Sequence, residues 1–461
     1  MLSKLLAASI LLVSCFFGAR MTMFLGFHNG LFDVIGAAVS SPGLQTPVSA
    51  TTTGAALPFP AGPQPFVVRY TGLAAIDRLL SDLIGYFTLL MHTPQTLGAR
   101  AAWMYIMVQF YGIWQVLELE GYRVGNTNRV VKHTAILGLI FQSASLAFTL
   151  PLYLTVHILT APATPIHGAF HVTHADLVAA PFAGFLAFTL PALGMGLPGM
   201  LGAPAYHYVS ALWQIFPVTQ SLWHFAIRKS LFSEVGEVGV KAASMYEEKV
   251  EETSEAVGLD NTTKRRKQTV ATTVAIESPN QSQVTVSHGF STAYRDAFRQ
   301  GLTSQLLILS LIILSPETPY LPAGLRRVAS EVTWSSVFLP FTFRTSPTVS
   351  SRLLQANSAD AATETPLLGA LALTFLQWDL FWSSFSYLTW VIYETLRGGR
   401  PGKRPSFWKT LGLALGWGLV GGPAAVGAVL LSKRDKENIK LTENGNQMAE
   451  SRTRTIKSKS S

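Results

Sequence analysis

Two carboxyl residues stand where carboxyls are costly. Asp379 lies near the middle of the apolar run 366–393, inside Phe375-Leu-Gln-Trp-Asp-Leu-Phe-Trp382, and Glu118 closes the apolar run 101–117. A charged group at bilayer depth costs at least ~2.5 kcal/mol on insertion scales, so each invites a chemical role. Burial disfavours the charged form of a carboxyl, which suits it to hold a proton and act as a general acid. Asp379 is the candidate proton donor. Glu118 is the candidate that orients it or takes up the final proton.

The residues around these acids are aromatic and amide-bearing. Tyr111, Trp114 and Glu118 share a helical face by their spacing, and Gln115 adjoins them. Gln377, Trp378 and Trp382 flank Asp379. A second stripe holds Trp213, Gln214, Pro217, Gln220, Trp223 and His224. Amides and indoles in an apolar segment need partners, so the stripe should face the interior of a helix bundle. Aromatic faces beside a carboxylic acid could stabilise a migrating carbocation, and an apolar cavity would keep water from quenching it. Such parts can protonate an epoxide or alkene of a lipid-soluble polyene and steer its cyclisation. Plainer roles stay open: Asp379 paired with a buried cation or bonded to a neighbouring helix, Glu118 in an interfacial aromatic belt, and the Trp/Gln stripe as helix–helix glue.

Other ionisable residues read as structural. Glu120 pairs with Arg123 in a turn, and Glu394 snorkels at a helix end near Arg397. His167, His171, His174 and Asp176 have a spacing that can ligate a metal only if helical, and they follow Pro165 in a loop. Neither a metal nor a cofactor is expected. The sequence lacks a Gly-x-x-x-x-Gly-Lys phosphate loop, a His-Glu-x-x-His pair and a Gly-x-Ser-x-Gly elbow. It also lacks the aspartate-rich pairs that hold magnesium against an isoprenyl diphosphate. Cys15 is the single cysteine, so no intramolecular disulfide forms.

The elements that must position these residues are membrane helices. Of 461 residues, 49% are hydrophobic and only 13% charged, about half the charge of an average soluble domain. That composition largely excludes a soluble enzyme or a nucleic-acid reader, and the net charge of +9 fits basic loops beside a bilayer. A spanning helix needs about 20 apolar residues. Firm spans are expected at 101–117, 133–160, 177–197, 206–227, 303–315, 366–393 and 411–431, with weaker ones at 5–18, 72–91 and 332–343. The expected fold is all-α, a polytopic transmembrane bundle of about seven to nine spans. It divides into a hydrophobic segment and irregular loop (1–65), a first helix group (66–229), a polar, partly disordered loop (230–300), a second helix group (301–432) and a basic disordered tail (433–461). The loop holds ten of the 26 acids and two glycosylation sequons, at Asn261 and Asn280. The basic clusters do not fix the orientation.

Leu73-Ala-Ala-Ile-Asp77, Gln109-Phe-Tyr-Gly-Ile-Trp114, Glu118 with Gly121-Tyr-Arg123-Val-Gly125-Asn126, and Phe375-Leu-Gln-Trp-Asp379 follow one another in an order that resembles fungal membrane terpene cyclases of the ascofuranone and ascochlorin type. A looser similarity is to smaller fungal meroterpenoid cyclases that use one early and one late acid, places that Glu118 and Asp379 could fill. The insertion at 230–300 departs from that second group. The resemblance implies an integral protein of the endoplasmic reticulum that cyclises a lipophilic, epoxidised or unsaturated prenyl chain. Its partners would be that substrate and membrane lipid, with no nucleic acid. A small-molecule transporter and a noncatalytic scaffold are the rival readings.

Overall fold

The computed structural model describes residues 2–40, 67, 69–92, 97–162, 172–201, 203–230, 282–314, 322–338, 358–398 and 405–460. Among them every regular element is helical. Helix α1 (Leu2–Ala19) runs through a π-helical turn, Arg20–Phe24, into Leu25–His28. Then come α2 (Leu31–Ser40), α3 (Ala74–His92), α4 (Leu97–Gly121), α5 (Thr134–Ala144) and α6 (Leu146–Thr160). Helix α7 (His174–Gly184) passes through a second π turn, Phe185–Thr189, into Leu190–Gly196. Next are α8 (Ala203–Gln214), α9 (216–230), α10 (Ser282–Ile313), α11 (Ala323–Glu331) and α12 (Trp334–Val337). The last two are long, α13 (Ser358–Arg397) and α14 (Phe407–Ser460).

Three helical stretches are long and apolar enough to cross a membrane: Ser3–His28, Ala175–Gly196 and Phe407–Asn438. Helices α5 and α6 are apolar but shorter. Three long stretches of that kind among the described residues do not establish the expected count of seven to nine spans. The run 133–160 is two helices, because Ser145 between them adopts φ 67°, ψ 138°. A residue with a Cβ rarely takes that conformation, so it ends one helix and aims the next elsewhere. The run 206–227 also breaks, at residue 215 just before Pro217. The weak span 332–343 holds only the short α12, and its end lies outside the described residues.

Helix α13 is the central element and packs against α1, α3, α4, α6 and α14. Helix α1 lies along α6, and α10 pairs with α14 against α4. The pairing of α10 and α14 corrects two boundaries. Helix α10 begins at Ser282, within the expected polar loop, and α14 continues past Lys433, where composition predicts a disordered tail. Its Arg434 and Asp435 are buried, and a helix end that fixes two charged side chains in the interior is not a solvated tail. The sequons Asn261 and Asn280 lie outside the described residues.

Helix α14 is interrupted at Gly422 (φ 68°, ψ −178°), followed by Pro423. Proline has no N–H, so the Leu419 carbonyl one turn earlier loses its helical donor. The Gln305 side chain of α10 donates to that carbonyl at 3.1 Å, and Gln305 in turn accepts from the Tyr105 hydroxyl at 2.7 Å. On the other side of the break the Ala424 N–H donates to Gln109 Oε1 at 3.2 Å, and Gln109 Nε2 reaches the Gly301 carbonyl and Ser304. Gly422 is required twice over. Its φ lies in the left-handed region, and a Cβ would sit 2.5 Å from Gln109 Nε2.

Asp77 organises the start of α3. Its carboxylate accepts from the Thr71 N–H at 2.6 Å, the Thr71 hydroxyl at 2.8 Å, the Gly72 N–H at 3.0 Å and the Tyr70 N–H at 3.1 Å. These donors, the Thr71 N–H foremost, hold the carboxyl below the usual carboxylate range.

Candidate active site

Helix α4 carries Phe110, Tyr111, Ile113, Trp114, Leu117 and Glu118 as one continuous surface, because they recur at helical spacing. Against it pack Phe188 from the second π turn, Trp213 at the end of α8, Phe216 at the start of α9 and Phe141 from α5. Phe216 is the hub of this aromatic box. Its ring centroid is 4.9 Å from Phe188, 5.3 Å from Trp114, 5.8 Å from Trp213 and 5.9 Å from Phe141. Tyr111 stacks on Phe188 at 4.9 Å. The rings enclose about 20 Å³ of free volume, room for little more than one water.

Glu118 lies one helical turn beyond Trp114 and is 2% exposed. Gln220 of α9 links the two. The Trp114 indole N–H donates to Gln220 Oε1 at 3.0 Å, and Gln220 Nε2 donates to Glu118 Oε2. The Tyr122 phenol lies beside the same carboxyl, and its ring stacks on His224 at 4.5 Å. His224 Nε2 is 3.4 Å from Asp176 Oδ1, and the same oxygen accepts from Arg228 at 3.0 Å. No salt bridge reaches Glu118 among the described residues. The shared face of Tyr111, Trp114 and Glu118 is thus real, and so is the partnership of the second stripe with it through Trp213 and Gln220. Gln214 is buried too, with neither amide atom hydrogen-bonded among the described residues.

Asp379 occupies a different setting. Its Oδ1 accepts from the Ser145 hydroxyl at 2.7 Å and from the Ala147 N–H at 2.6 Å. It therefore caps α6 from across the bundle and holds Ser145 in its left-handed conformation. Residues held in such conformations cost about 1–3 kcal/mol and persist only where the surroundings determine them. The neighbours of Asp379 follow it rather than Glu118. Gln377 donates to the Ser336 carbonyl at 2.9 Å, Trp378 packs edge-on to Phe381, and Trp382 stacks on Phe17 at 5.3 Å. Among the described residues no contact joins Asp379 to Glu118. The link between the two settings is Leu146, which follows Ser145 in sequence and lines the aromatic box. Gln115 lies beside Tyr111 and reaches Asp296 of α10 at 3.4 Å.

A second polar centre, which sequence reading reduces to two local pairs, lies beside these sites. Glu120 binds Arg123 at 2.6 Å, as its spacing suggests, but also Arg434 at 3.1 Å. Arg434 reaches Glu394 at 3.4 Å and Asp435 at 2.9 Å, and Asp435 binds Arg123 at 2.7 Å. Arg397 binds Glu394 at 3.0 Å. His157 lies between the two glutamates, Nε2 3.6 Å from Glu120 and Nδ1 3.8 Å from Glu394. Glu394 is 1% exposed, so it is clamped inside rather than snorkelling. The three carboxylates and the guanidiniums of Arg123, Arg397 and Arg434 balance in charge, which is what burial of ions demands.

The histidine group of the sequence does not come together in the described structure. His174 opens α7, Asp176 is capped by Thr173 and paired with Arg228, and His167 and His171 lie outside the described residues. The Gly194-Met-Gly-Leu-Pro-Gly199 stretch has the spacing of a dinucleotide loop, but it spans the end of one helix and the start of another, with no strand before it. The rings of Phe141, Phe188 and Phe216 were not singled out by sequence. Phe216 and Gln220 are four residues apart on α9, a spacing that would have added it to the stripe.

Similar proteins bear on this site. A terpene cyclase from Acremonium egyptiacum, ascI, is 29% identical over 157 residues, 33% of this chain and 41% of its own. A terpene cyclase from Aspergillus terreus, ctvD, is 24% identical over 227 residues, 47% of this chain and 59% of its own. The chain thus matches less than two thirds of the length of either relative. No solved structure matches it significantly. The CtvD domain, in contrast, matches residues 7–437, a range that takes in the aromatic box, Glu118, Asp379 and the buried ion network. The chain belongs to the CtvD domain family.

Proposed function

We propose that this protein is a membrane-embedded terpene cyclase that closes rings in an epoxidised or unsaturated prenyl chain by protonating it. The observation that carries the reading is the aromatic box of α4, α8 and α9 with the buried carboxyl of Glu118 tied to its wall through Gln220 and Trp114. Membership of the CtvD family and the two terpene cyclase relatives support it. The membrane setting is supported by three long apolar helices and by α14 in particular. Trp408 at its start, and Leu415 and Leu419 within it, are exposed. From Trp408 to Lys433 the helix rises ~38 Å, about the thickness of a bilayer with its interfaces.

Glu118 takes the general-acid place that sequence alone gives to Asp379. A donor must be able to reach the substrate: Glu118 lies at the edge of the aromatic box, whereas the Asp379 carboxyl is taken up by the Ser145 hydroxyl and the Ala147 N–H at the start of α6. The proton passes to the epoxide oxygen as its C–O bond breaks. The alkene electron pair then forms the new C–C bond, and the resulting cation loses a proton from a neighbouring carbon to the Glu118 carboxylate, which restores the acid. The product is an isomer of the substrate. Trp114, Trp213 and the ring faces around Phe216 stabilise the cation, each contact being worth up to ~2 kcal/mol when desolvated. The box is closed around its small free volume, so the rings part to admit a chain. Asp379 acts through position, holding the corner before α6 and with it Leu146 in the box wall.

The test is to incubate membranes containing the protein with a prenylated epoxide and look for a new compound of the same mass. Glu118→Gln should lower its formation by about 10²–10⁴-fold, the usual reach of general acid catalysis. Asp379→Asn keeps an oxygen for both of its donors and should retain most activity. Loss of product with the fold intact in Asp379→Asn, and not in Glu118→Gln, would return the acid role to Asp379. Uptake of the epoxide into vesicles with no isomer formed would point to a carrier instead.

A further inference from the structure

A further cavity lies away from the aromatic box. It is a groove of about 500 Å³ between α10 and residues 428–437 of α14. Its floor is apolar, formed by Phe298, Ala428 and Val429. Its rim carries Arg295, Lys433 and Lys436, with Glu437 as the single acid. Val429, Ser432, Lys433 and Lys436 recur at helical spacing and so form one face of α14. The rim is thus net positive, and Lys433, Lys436 and Arg295 are exposed.

The change along α14 gives this groove its depth. The helix exposes Trp408, Leu415 and Leu419 in its first part, whereas between Ser432 and Asn438 its exposed side chains are Lys433, Lys436 and Glu437. From Leu419 to Lys433 is ~21 Å of helix, so the lysines lie where a helix leaves hydrocarbon for head groups. An apolar floor below a cationic rim at that level matches an amphiphile with an anionic head. Basic pockets between membrane helices take phospholipid heads by this chemistry.

We propose that the groove between α10 and α14 holds an anionic phospholipid, with its phosphate at Lys433, Lys436 and Arg295 and an acyl chain over Phe298 and Val429. The site rests on the membrane reading above but not on the cyclase reading. It also touches the buried ion network. Tyr294 forms part of the groove wall, and its hydroxyl donates to Asp435 at 2.8 Å and accepts from Arg123 at 2.9 Å. Lys433 and Lys436 directly flank Arg434 and Asp435 in sequence. A lipid in the groove therefore clamps the end of α14 against α10, and its occupancy raises the stability of the whole network.

The test uses the full-length protein in nanodiscs of phosphatidylcholine, with or without phosphatidylglycerol. Phosphatidylglycerol should raise the unfolding temperature and stay bound in native mass spectra. At about 1 kcal/mol per basic residue, Lys433→Gln with Lys436→Gln should lower the preference for the anionic lipid by at least tenfold. Lys409→Gln, at the opposite end of α14, should leave it unchanged. Both lysines of the groove are exposed, so the double variant should fold, and Lys433→Arg with Lys436→Arg should restore the preference. An undiminished preference in the double glutamine variant overturns the site. So does inorganic phosphate alone producing the same rise, which would mark a bare anion site without a tail. Carbonate washing separates this from the membrane reading. A protein that stays in washed membranes yet binds both lipids equally loses only the groove. Release by carbonate overturns the membrane reading and the groove together.

Discussion

Glu118 and Glu120 are two residues apart on the same helix and are both buried, yet they are held in opposite ways. Glu118 meets an amide, a phenol and the edge of an aromatic box. Glu120 meets Arg123 and Arg434, with His157 close by. The helix turn between them sends one carboxyl toward α9 and the other toward α14. A carboxylate between two guanidiniums is fixed in charge and place, because removing either charge strands the other. A carboxyl with neutral partners can change protonation without stranding a cation. The difference separates a fastening from the group proposed to react, though residue type and burial are the same.

The contrast is broken most strongly at Arg434. Arg434→Met leaves Glu120, Glu394 and Asp435 short of a cation. Loss of one partner in a buried ion pair costs about 3–5 kcal/mol, so the variant should show a collapsed thermal transition or fail to accumulate. A stable variant would mean that the network is hydrated and holds little. Glu118→Gln is the matched change on the other side. It keeps a side chain of the same shape beside Gln220 and should alter stability by no more than about 1 kcal/mol, read by denaturant unfolding in detergent. A loss as large as that of Arg434→Met would erase the distinction.

Gln109→Leu sharpens the comparison from a third position. It leaves the Ala424 N–H without its acceptor in the bundle interior, at a cost of about 1–3 kcal/mol, and should make α14 more open to hydrogen exchange near residue 424. Unchanged exchange there would show that the break does not depend on the amide. The smallest effect is expected at Asp77, an acid outside both buried groups. Its carboxyl lies below the usual range when folded, so it contributes stability above the unfolded value near 4 and loses it as pH falls through the lower folded value. Asp77→Asn should remove that acid-side decline, so the stability curves of variant and wild type should converge below pH ~4. Parallel curves would exclude the linkage.

The legible part of the site followed from local spacing. Tyr111, Trp114 and Glu118 lie on one helix, and Gln220 lies on a face that had to turn inward because its amide cannot meet lipid. Burial of Asp379 was legible for the same reason, and so was a bond to a neighbouring helix, but the partner in that bond was not. What it binds is a serine in an unusual conformation 234 residues earlier, and nothing in the sequence near either residue announces that corner. The ion network was hidden more completely. Glu120 and Arg434 are 314 residues apart, and the composition around Arg434 is that of a solvated tail. Helix existence was legible in the apolar runs, but not at 323–331 or past Lys433. Breaks at Ser145, residue 215 and Gly422 were less so, since apolar composition continues across them.

The interruption of α14 bears on how the chain is assembled. In the proposed bilayer setting, the Leu419 carbonyl and Ala424 N–H would each cost several kcal/mol if they entered lipid unpaired. Their partners, Gln305 and Gln109, belong to α10 and α4, which leave the ribosome earlier. The final helix is thus built to join a partly completed bundle rather than to insert alone. Order of synthesis becomes a requirement for its stability, and a copy of α14 expressed by itself should be a poor membrane anchor despite its apolar composition.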